Sequence, residues 1–439
     1  MKTFNKILVA NRSAIARRVI RAADARQIPT VSVYADPDAQ APYLAEASET
    51  IRLPGDRATE TYLNIDAILA AAAQAGADAI HPGYGFLAES AEFARRVTAA
   101  GLTFIGPRSE WLDDMGDKVK GRALFAEHGF PVFPGSGLIE DDHVREAERI
   151  GWPIMVKPSG GGGGKGMAIA RDAEALEQAV AQSRAIALAA FAEPGVFLEK
   201  LVERPRHIEY QIIADNAGRA IHAFERDCSV QRRHQKLIEE SPAPGINEQE
   251  LLAHAERAAD VCSSIGYNNL GTLETLRDPS GATGFLEMNT RIQVEHAVTE
   301  EITGLDLVGL QIDLAAGGAV PDIVTRDGHA IEARIYAEDP HRFYPSTGRL
   351  GAFEFPTLHG VRVETGYQSG QVITPYYDAM LAKVIARAHT RELAIGRLCV
   401  ALGATVIRGV ETNIPLLQRI LKDHRFLAGD VHTGFIDEL

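Results

Sequence analysis

The sequence predicts an α/β fold in three parts, and three observations carry that prediction. Short apolar strands alternate with helix-patterned segments through the first ~110 residues. A run of five glycines at 160–164 lies between two strand-like segments, not between a strand and a helix. A row of alternating polar and apolar residues then runs from Glu287 to His296.

In the first part, 6–10 and 30–34 read as strands, and 14–27 between them has helical spacing at Ile15, Val19, Ile20 and Ala23. Residues 65–76 are alanine-rich and helical, 77–80 a strand, 89–100 a helix and 103–105 a strand. This alternation predicts a parallel, doubly wound sheet. Its ligands belong at strand C-termini, where Asn11-Arg12 and His81-Pro82-Gly83-Tyr84-Gly85 fall. From about Asp117 the pattern changes. Residues 118–128 read as a helix, and 154–157 and 167–170 as strands joined by the glycines. A strand at 196–200 follows, then a hairpin of 207–214 with 220–226, a helix at 248–265 and a hairpin of 271–277 with 284–289. Residues 302–316 read as one helix closed by Gly317-Gly318. A third part begins near Arg326, with strands at 329–338 and 361–364 and helices at 391–402 and 413–422.

Composition narrows the function. The chain has 439 residues, enough for two to four domains of roughly 100–200 residues. Forty-five Lys and Arg against 59 Asp and Glu leave a net charge of −14, which disfavours nucleic acid and anionic membranes but not a small anion in a local basic pocket. Cys228, Cys262 and Cys399 are too scattered for a disulfide framework or a zinc site and suit a reducing compartment. The apolar run after Lys2 and Lys6 ends by Asn11, too short for a signal-peptide core. No run reaches the ~20 residues of a membrane span; the longest, 185–192, reads as part of an amphipathic helix. A soluble, cytoplasmic protein is expected.

The glycine run has two readings, a flexible linker or a backbone brought close to a ligand. Lys157 before it, Lys165 after it and apolar strands on both sides favour the second: amides free of Cβ can wrap phosphate oxygens while lysines supply charge. It is not a P-loop, because Gly166 follows Lys165. A mobile glycine hairpin closing over a triphosphate fits better.

In the polar row, Glu287, Asn289, Arg291, Gln293 and Glu295 share one face if the strand stays extended. A solvated outer face remains the alternative. Eight steps span ~26 Å, too long for one metal site, so an extended row would serve several tasks. Glu274 lies on the opposite arm of the hairpin from Glu287, and with Asn289 these offer the oxygen ligands magnesium prefers. Arg291 suits a planar anion, and Glu295 suits a general base. Together the features imply Mg-ATP phosphoryl transfer to a small oxyanion. Gln231-Arg232-Arg233-His234-Gln235-Lys236 reads as an exposed loop or an anion site. His207 and His234 taken singly read as structural histidines, and Arg334 as an ion-pair partner of Glu332.

Asp117-Lys118, Lys157 with the glycine run, Glu225-Arg226-Asp227-Cys228-Ser229 continuing to Lys236, and Glu287 through His296 together resemble biotin carboxylase, a member of the ATP-grasp superfamily. His81-Pro82-Gly83-Tyr84-Gly85-Phe86-Leu87 and Tyr376-Tyr377-Asp378 fit the same family, and the resemblance spans 6–435. It implies a Rossmann-like N-terminal domain at 1–113, an ATP-grasp core at 114–325 with a mobile glycine-loop lid at about 132–203, and a biotin carboxylase C-terminal domain at 326–439. It implies ATP contacts from Lys118, Lys157, Gly163, Gly164, Lys165, Glu199, Lys200, Val202, His207, Gln231, His234 and Leu276. Glu274, Glu287 and Asn289 would hold Mg²⁺ (or Mn²⁺). Lys236, Arg291, Gln293 and the Val294 backbone would hold bicarbonate. Glu295 would be the base, Arg334 would stabilise the biotin enolate, and Tyr84 would border the biotin.

The family commonly has Gly-Glu where Ser13-Ala14 stand, Pro at Ala297 and an aromatic at Thr275. No Ala-Met-Lys-Met biotinylation site occurs, so a biotin carrier is expected on another chain or beyond Leu439, with a carboxyltransferase subunit or domain as further partner and a homodimer or a larger assembly as the expected form. Gly434-Phe435-Ile436 resembles the point where acyl-CoA carboxylase α-subunits continue into further domains, so a domain excised from such a protein, or a subunit related to one, is expected, with an acyl-CoA carboxylase of fatty acid metabolism as the setting and the final acceptor left open. The rivals are an ATP-grasp ligase acting on a free small molecule such as urea, and a nucleotide-binding module without catalysis, against which the Lys236, Arg291, Glu295 and Arg334 set argues.

Overall fold

A computed structural model describes residues 3–140, 142–161, 163–191 and 193–439, with nothing said of the Phe191 side chain. Lys2, Gly162 and Ala192, which figure in the sequence reading, lie outside the described residues. The first sheet holds β1 (Ile7–Val9), β2 (Thr30–Ala35), β3 (Glu49–Leu53), β4 (Ala79–His81) and β5 (Thr103–Phe104). Their order is β3-β2-β1-β4-β5 and all pairs are parallel. The near-continuous apolar runs of β1 and β2 follow from burial on both faces. Ile7 and Val9 pack with Ile15, Val19 and Ile20 of the helix Ser13–Asp24. Leu8 packs on the opposite side with Ile68, Phe93 and Val97. The doubly wound sheet expected from the pattern is present, with β3 as an added edge.

The second unit has its own four-stranded sheet and its own core. Its strands are β6 (Gly135–Leu138), β7 (Ile154–Pro158), β8 (Ala168–Ala170) and β9 (Val196–Lys200), ordered β6-β9-β7-β8. β7 and β8 pair antiparallel, Ile154 opposite Ala170, so the glycine run is a hairpin turn. The helix Ala173–Phe191 lies over this sheet, and Ile139, Ile150, Val156, Leu176 and Leu198 fill the space between.

The remaining strands build one antiparallel sheet that carries the site. β10 (Arg206–Ala214), β11 (Ala220–Arg232), β12 (Gln235–Ser241), β13 (Asn269–Arg277) and β14 (Thr283–Asn289) come from the middle of the chain. The last part adds β15 (His329–Tyr336), β16 (Gly348–Arg349), β17 (Ala352–Glu354), β18 (Val361–Thr365), β19 (Val372–Ile373), β20 (Met380–Ala388) and β21 (Val406–Arg408). The order β14-β13-β10-β11-β12-β15-β20-β18 runs straight across the boundary expected at 325/326, because β12 pairs with β15. β16 pairs with β19, and β17 with β21, beside it. The middle and last parts of the chain therefore share a rigid floor.

Two expectations need correction. The single helix at 302–316 is two, His296–Thr303 and Leu307–Ala315. Gly304 takes φ +74° and closes the first; the Asp306 side chain accepts from Gly309 N and starts the second. The polar row is not one extended strand either. β14 stops at Asn289, residues 290–295 form an irregular turn, and Glu295 stands at the start of a helix. The cause is a side chain from the first domain: Glu89 accepts from Thr290 N at 3.2 Å and from Arg291 Nε at 2.9 Å, which draws the chain out of the ladder.

Candidate active site

Strand register brings the charged side chains together. Glu274 on β13 lies directly opposite Glu287 on β14 and Glu209 on β10, and Glu209 is opposite Arg226 on β11. Further along, Glu239 on β12 is opposite Glu332 on β15, and Lys383 on β20 lies between Arg334 and Glu364. A stripe of ionisable groups thus crosses the whole sheet. β11 and β12 are joined at Arg233 and His234, with φ of +48° and +66°. Both central residues being left-handed makes this a tight hairpin. The basic segment is therefore a hairpin tip with Lys236 opposite Gln231, not a loose loop.

Lys236 is the hub. Its Nζ donates to Glu209 Oε2 at 2.6 Å, Glu274 Oε1 at 2.9 Å and Glu295 Oε1 at 2.6 Å. Arg334 Nη2 donates to the other Glu295 oxygen at 2.8 Å, and its Nε lies 2.5 Å from Glu239 Oε1. Burial pushes the Glu295 carboxyl up, but Lys236, Arg334 and Arg226 outweigh it and hold the group well below the usual carboxylate range. Burial likewise opposes ionisation of Glu274, where Lys236 and His207 win. Among neutralising charges, the stripe has two exceptions: burial lifts Glu239 to about 7 and Glu332 to about 8.

The turn at 290–295 folds the rest of the row back onto this hub. Arg291 donates to Asn289 Oδ1 at 2.9 Å and Gln293 Oε1 at 2.8 Å, and Gln293 Nε2 donates to Glu274 Oε1 at 2.9 Å. His207 Nε2 lies 3.1 Å from Glu274 Oε2, and Gln231 is 3.3 Å from His207 Nδ1. Leu276 sits opposite His207 on β13. Lys118 begins the helix Lys118–Glu127, which Asp117 caps, and its ammonium reaches Glu287.

The glycine hairpin faces this floor. Gly163 and Gly164 take φ +66° and +71°, and a Cβ on Gly164 would fall 2.3 Å from His234 Cδ2. Only glycine allows that approach. Lys157 pairs with Glu199 inside the lid, and Lys165 is exposed beside the turn. Lys200 is turned elsewhere: its Nζ donates to the carbonyl of Gly151 at 3.0 Å. Val202 lies in the connection from β9 to β10.

A cavity of about 470 Å³ opens beside the hub, lined by Tyr84, Arg291, Val294, Arg334, Tyr336 and Tyr377 among others. Asn11 Nδ2 holds the Tyr84 loop by donating to the carbonyls of Pro82 at 2.7 Å and Tyr84 at 2.8 Å. Arg12 is committed to Asp38 at 2.7 and 2.5 Å and stacks 4.3 Å from the Tyr377 ring centre. Ser13, on the rim, takes φ +57°. That conformation explains the glycine usual in the family at this position.

Sequence reasoning missed Glu89, Glu209, Arg226, Glu239 and Lys383. A signal for Glu209 was there: His207, Glu209 and Gln211 alternate with Ile208, Tyr210 and Ile212, and all six are buried.

The fold and this site define an ATP-dependent ligase of the ATP-grasp type: a glycine hairpin over a floor of lysines and paired carboxylates, with a second, partly apolar cavity alongside. Three family models cover the chain: the biotin carboxylase N-terminal domain at 3–112, the carbamoyl-phosphate synthase L chain ATP binding domain at 117–323, and the biotin carboxylase C-terminal domain at 332–438. Biotin carboxylase of Allochromatium vinosum is 47% identical over 99% of this chain and 98% of its own. The Campylobacter jejuni biotin carboxylase in a βγ-ATP complex superposes with a TM-score of 0.97 at 38% identity, covering 100% of this chain and 99% of that one. The biotin carboxylase domain dimer of Hydrogenobacter thermophilus 2-oxoglutarate carboxylase, in complex with MgADP, ADP and bicarbonate, matches with a TM-score of 0.97 at 42% identity, covering 100% and 98%. The chain belongs to the biotin carboxylase family.

Proposed function

We propose that this chain carboxylates biotin, presented on a carrier domain or protein, with bicarbonate and ATP. The observation that carries the assignment is Glu295 held between Lys236 and Arg334 at the edge of the Tyr84 cavity.

ATP lies between the glycine hairpin and the sheet floor, touched by Lys118, Lys157, Gly163, Gly164, Lys165, His207, Gln231, His234 and Leu276. The Glu199 carboxylate is taken by Lys157, so adenine recognition along 199–202 falls to backbone groups, Val202 included. Glu274 and Glu287 are adjacent and oxygen-only, a donor set that fits Mg²⁺ or Mn²⁺; Asn289 supplies the third oxygen once Arg291 turns to substrate. The metal supplies charge neutralisation at the phosphates.

Bicarbonate sits among Lys236, Arg291, Gln293 and the Val294 backbone. Glu295 is ionised and therefore able to accept its proton. In the free enzyme two cations make Glu295 a weak base. A bicarbonate anion drawing on Lys236 raises its basicity at the moment of need. The deprotonated bicarbonate attacks the γ-phosphorus and displaces ADP, and the resulting carboxyphosphate breaks its C–O bond to give CO₂ and phosphate. Phosphate takes the biotin N1 proton, Arg334 supports the developing enolate oxygen, and N1 attacks CO₂. Closure of the lid at 132–203 over the core at 114–325 excludes water from the labile intermediate.

The carboxybiotin then passes to a carboxyltransferase acting on an acyl-CoA, in the cytoplasm, with the chain assembled as a homodimer. Among the described residues no helix is long and apolar enough to cross a membrane. The deciding experiment is bicarbonate-dependent ADP release with and without free biotin. Stimulation by biotin is expected; stimulation by urea in its place overturns the reading. Assay with a carboxyltransferase and acetyl-CoA, propionyl-CoA, pyruvate or 2-oxoglutarate then identifies the acceptor.

A further inference from the structure

We propose that Lys383 is a positioning residue for the bicarbonate-binding turn, fixing the Val294–Glu295 peptide through the Val294 carbonyl. The inference rests on the bicarbonate site described above.

Lys383 is fully buried on β20, in the last third of the chain, and its ammonium donates to the Val294 carbonyl oxygen. The turn at 290–295 has no strand ladder to define it. Besides the bonds of Arg291, Gln293 and Glu295 already described, it is held by contacts from other parts of the chain and from its own end. Glu89 of the first domain takes Thr290 N and Arg291 Nε. His296 Nδ1 lies 2.7 Å from the Gln293 carbonyl. Lys383 takes the Val294 carbonyl. The peptide it grips joins Val294, whose backbone faces bicarbonate, to the base Glu295. A rotation of that one plane would move both groups together, and displacements near 1 Å at a reacting centre are costly.

A simpler role would be charge balance, since Lys383 Nζ is 2.7 Å from Glu364 Oε2 and 3.6 Å from Glu332 Oε2. Two observations point past it. Glu364 already has a second cation, Arg362, on its other oxygen. Neither Glu332 oxygen has a hydrogen-bond partner among the described residues, and Lys383 stands off from it. Beside its pairing with Glu364, the ammonium takes a neutral backbone carbonyl at the active site. Lys383 also lies opposite Arg334 in the sheet register, so the residue that would orient the base and the residue that would support the enolate share one pair of strands.

The test compares Lys383→Met, the charge-balanced double variant Lys383→Met with Glu364→Gln, and Glu364→Gln alone. The readouts are the separate KM values for bicarbonate and ATP, with nucleotide binding as the check on folding. Both Lys383 variants should raise the bicarbonate KM by roughly tenfold to a hundredfold, the loss expected of one charge-assisted hydrogen bond. The ATP KM should stay within about twofold. Glu364→Gln, which keeps the grip on Val294, should leave the bicarbonate KM near wild type. An unchanged bicarbonate KM in the double variant, or equal losses for ATP and bicarbonate, overturns the proposal. Arg291→Ala separates the two levels. If it too leaves the bicarbonate KM unchanged, the placement of bicarbonate has failed; if it raises that KM while the double variant does not, only the role of Lys383 has failed.

Discussion

The glycine hairpin and the charged stripe, proposed above to hold the same substrates, are built by opposite means. The hairpin is largely exposed backbone on a small sheet with a separate core, and at its tip Gly164 comes close to His234. The stripe is buried side chains on a sheet shared by two thirds of the chain, with Arg226, Glu209 and Glu295 wholly enclosed and cross-bonded. On the proposed function one part gains by moving, as a lid that admits and releases nucleotide. The other gains by staying, because charges fixed before the reaction need no reorganisation during it. The contrast is testable: variants in the stripe should damage chemistry, and variants in the hairpin should damage closure.

The largest effect belongs to the base. Glu295→Gln removes proton acceptance but keeps shape, so biotin-dependent turnover should fall by about 10²–10⁴-fold. Nucleotide binding, measured by calorimetry, should be retained. Turnover near wild type in this variant would remove Glu295 from the mechanism and leave the stripe as structure.

Next come the glycines. Gly164→Ala combines a left-handed φ with a Cβ driven into His234, whereas Gly163→Ala has the left-handed φ alone and open space. A non-glycine residue in that region costs about 1–2 kcal/mol. Gly163→Ala should therefore weaken ATP, read as KM, by roughly tenfold, and Gly164→Ala by more. Gly160, without a positive φ and at 3.7 Å from its nearest neighbour, is the control and should tolerate alanine. Equal effects at 163 and 164 would mean that contact with His234 is not part of the closed state.

The same contrast explains what could be read in advance. The parallel sheet, the glycine hairpin and the opposition of Glu274 to Glu287 follow from local periodicity and turn chemistry, and all are present. The partners of the stripe are different. Glu239 meets Arg334 through the pairing of β12 with β15, and Lys383 on β20 reaches Val294 in the turn, across 95 and 89 residues of chain, and nothing local announces them. The end of β14 was hidden for the same reason: its cause is Glu89, some 200 residues earlier in the chain. Local pattern gave Glu287, Asn289, Arg291, Gln293 and Glu295 a common face; tertiary contact bent that face into a pocket, which is how a row too long for one site serves one.

The smallest effect tests whether the far end of the stripe is tuned as the catalytic end is. Burial lifts Glu332 to about 8, with Lys383 opposing and Glu239 reinforcing the rise, while its ordinary value is 4.5. The folded protein therefore keeps a proton that the unfolded chain releases at lower pH. That difference stabilises the fold fully below about 4.5 and is lost as pH rises through 8. Between pH 6 and 9 the thermal midpoint of the wild type should fall, and Glu332→Gln, which mimics the protonated form, should flatten the slope by a few degrees. The buried histidines contribute to both proteins and largely cancel in the difference, whereas Glu239, at about 7 and opposite Glu332, titrates together with it, so the flattening reports the pair. Glu295 and Glu274 titrate far below this window. Parallel slopes in the two proteins would show Glu332 ionised in the fold. The stripe would then hold its charges alike along its whole length, with no neutral acid behind Arg334.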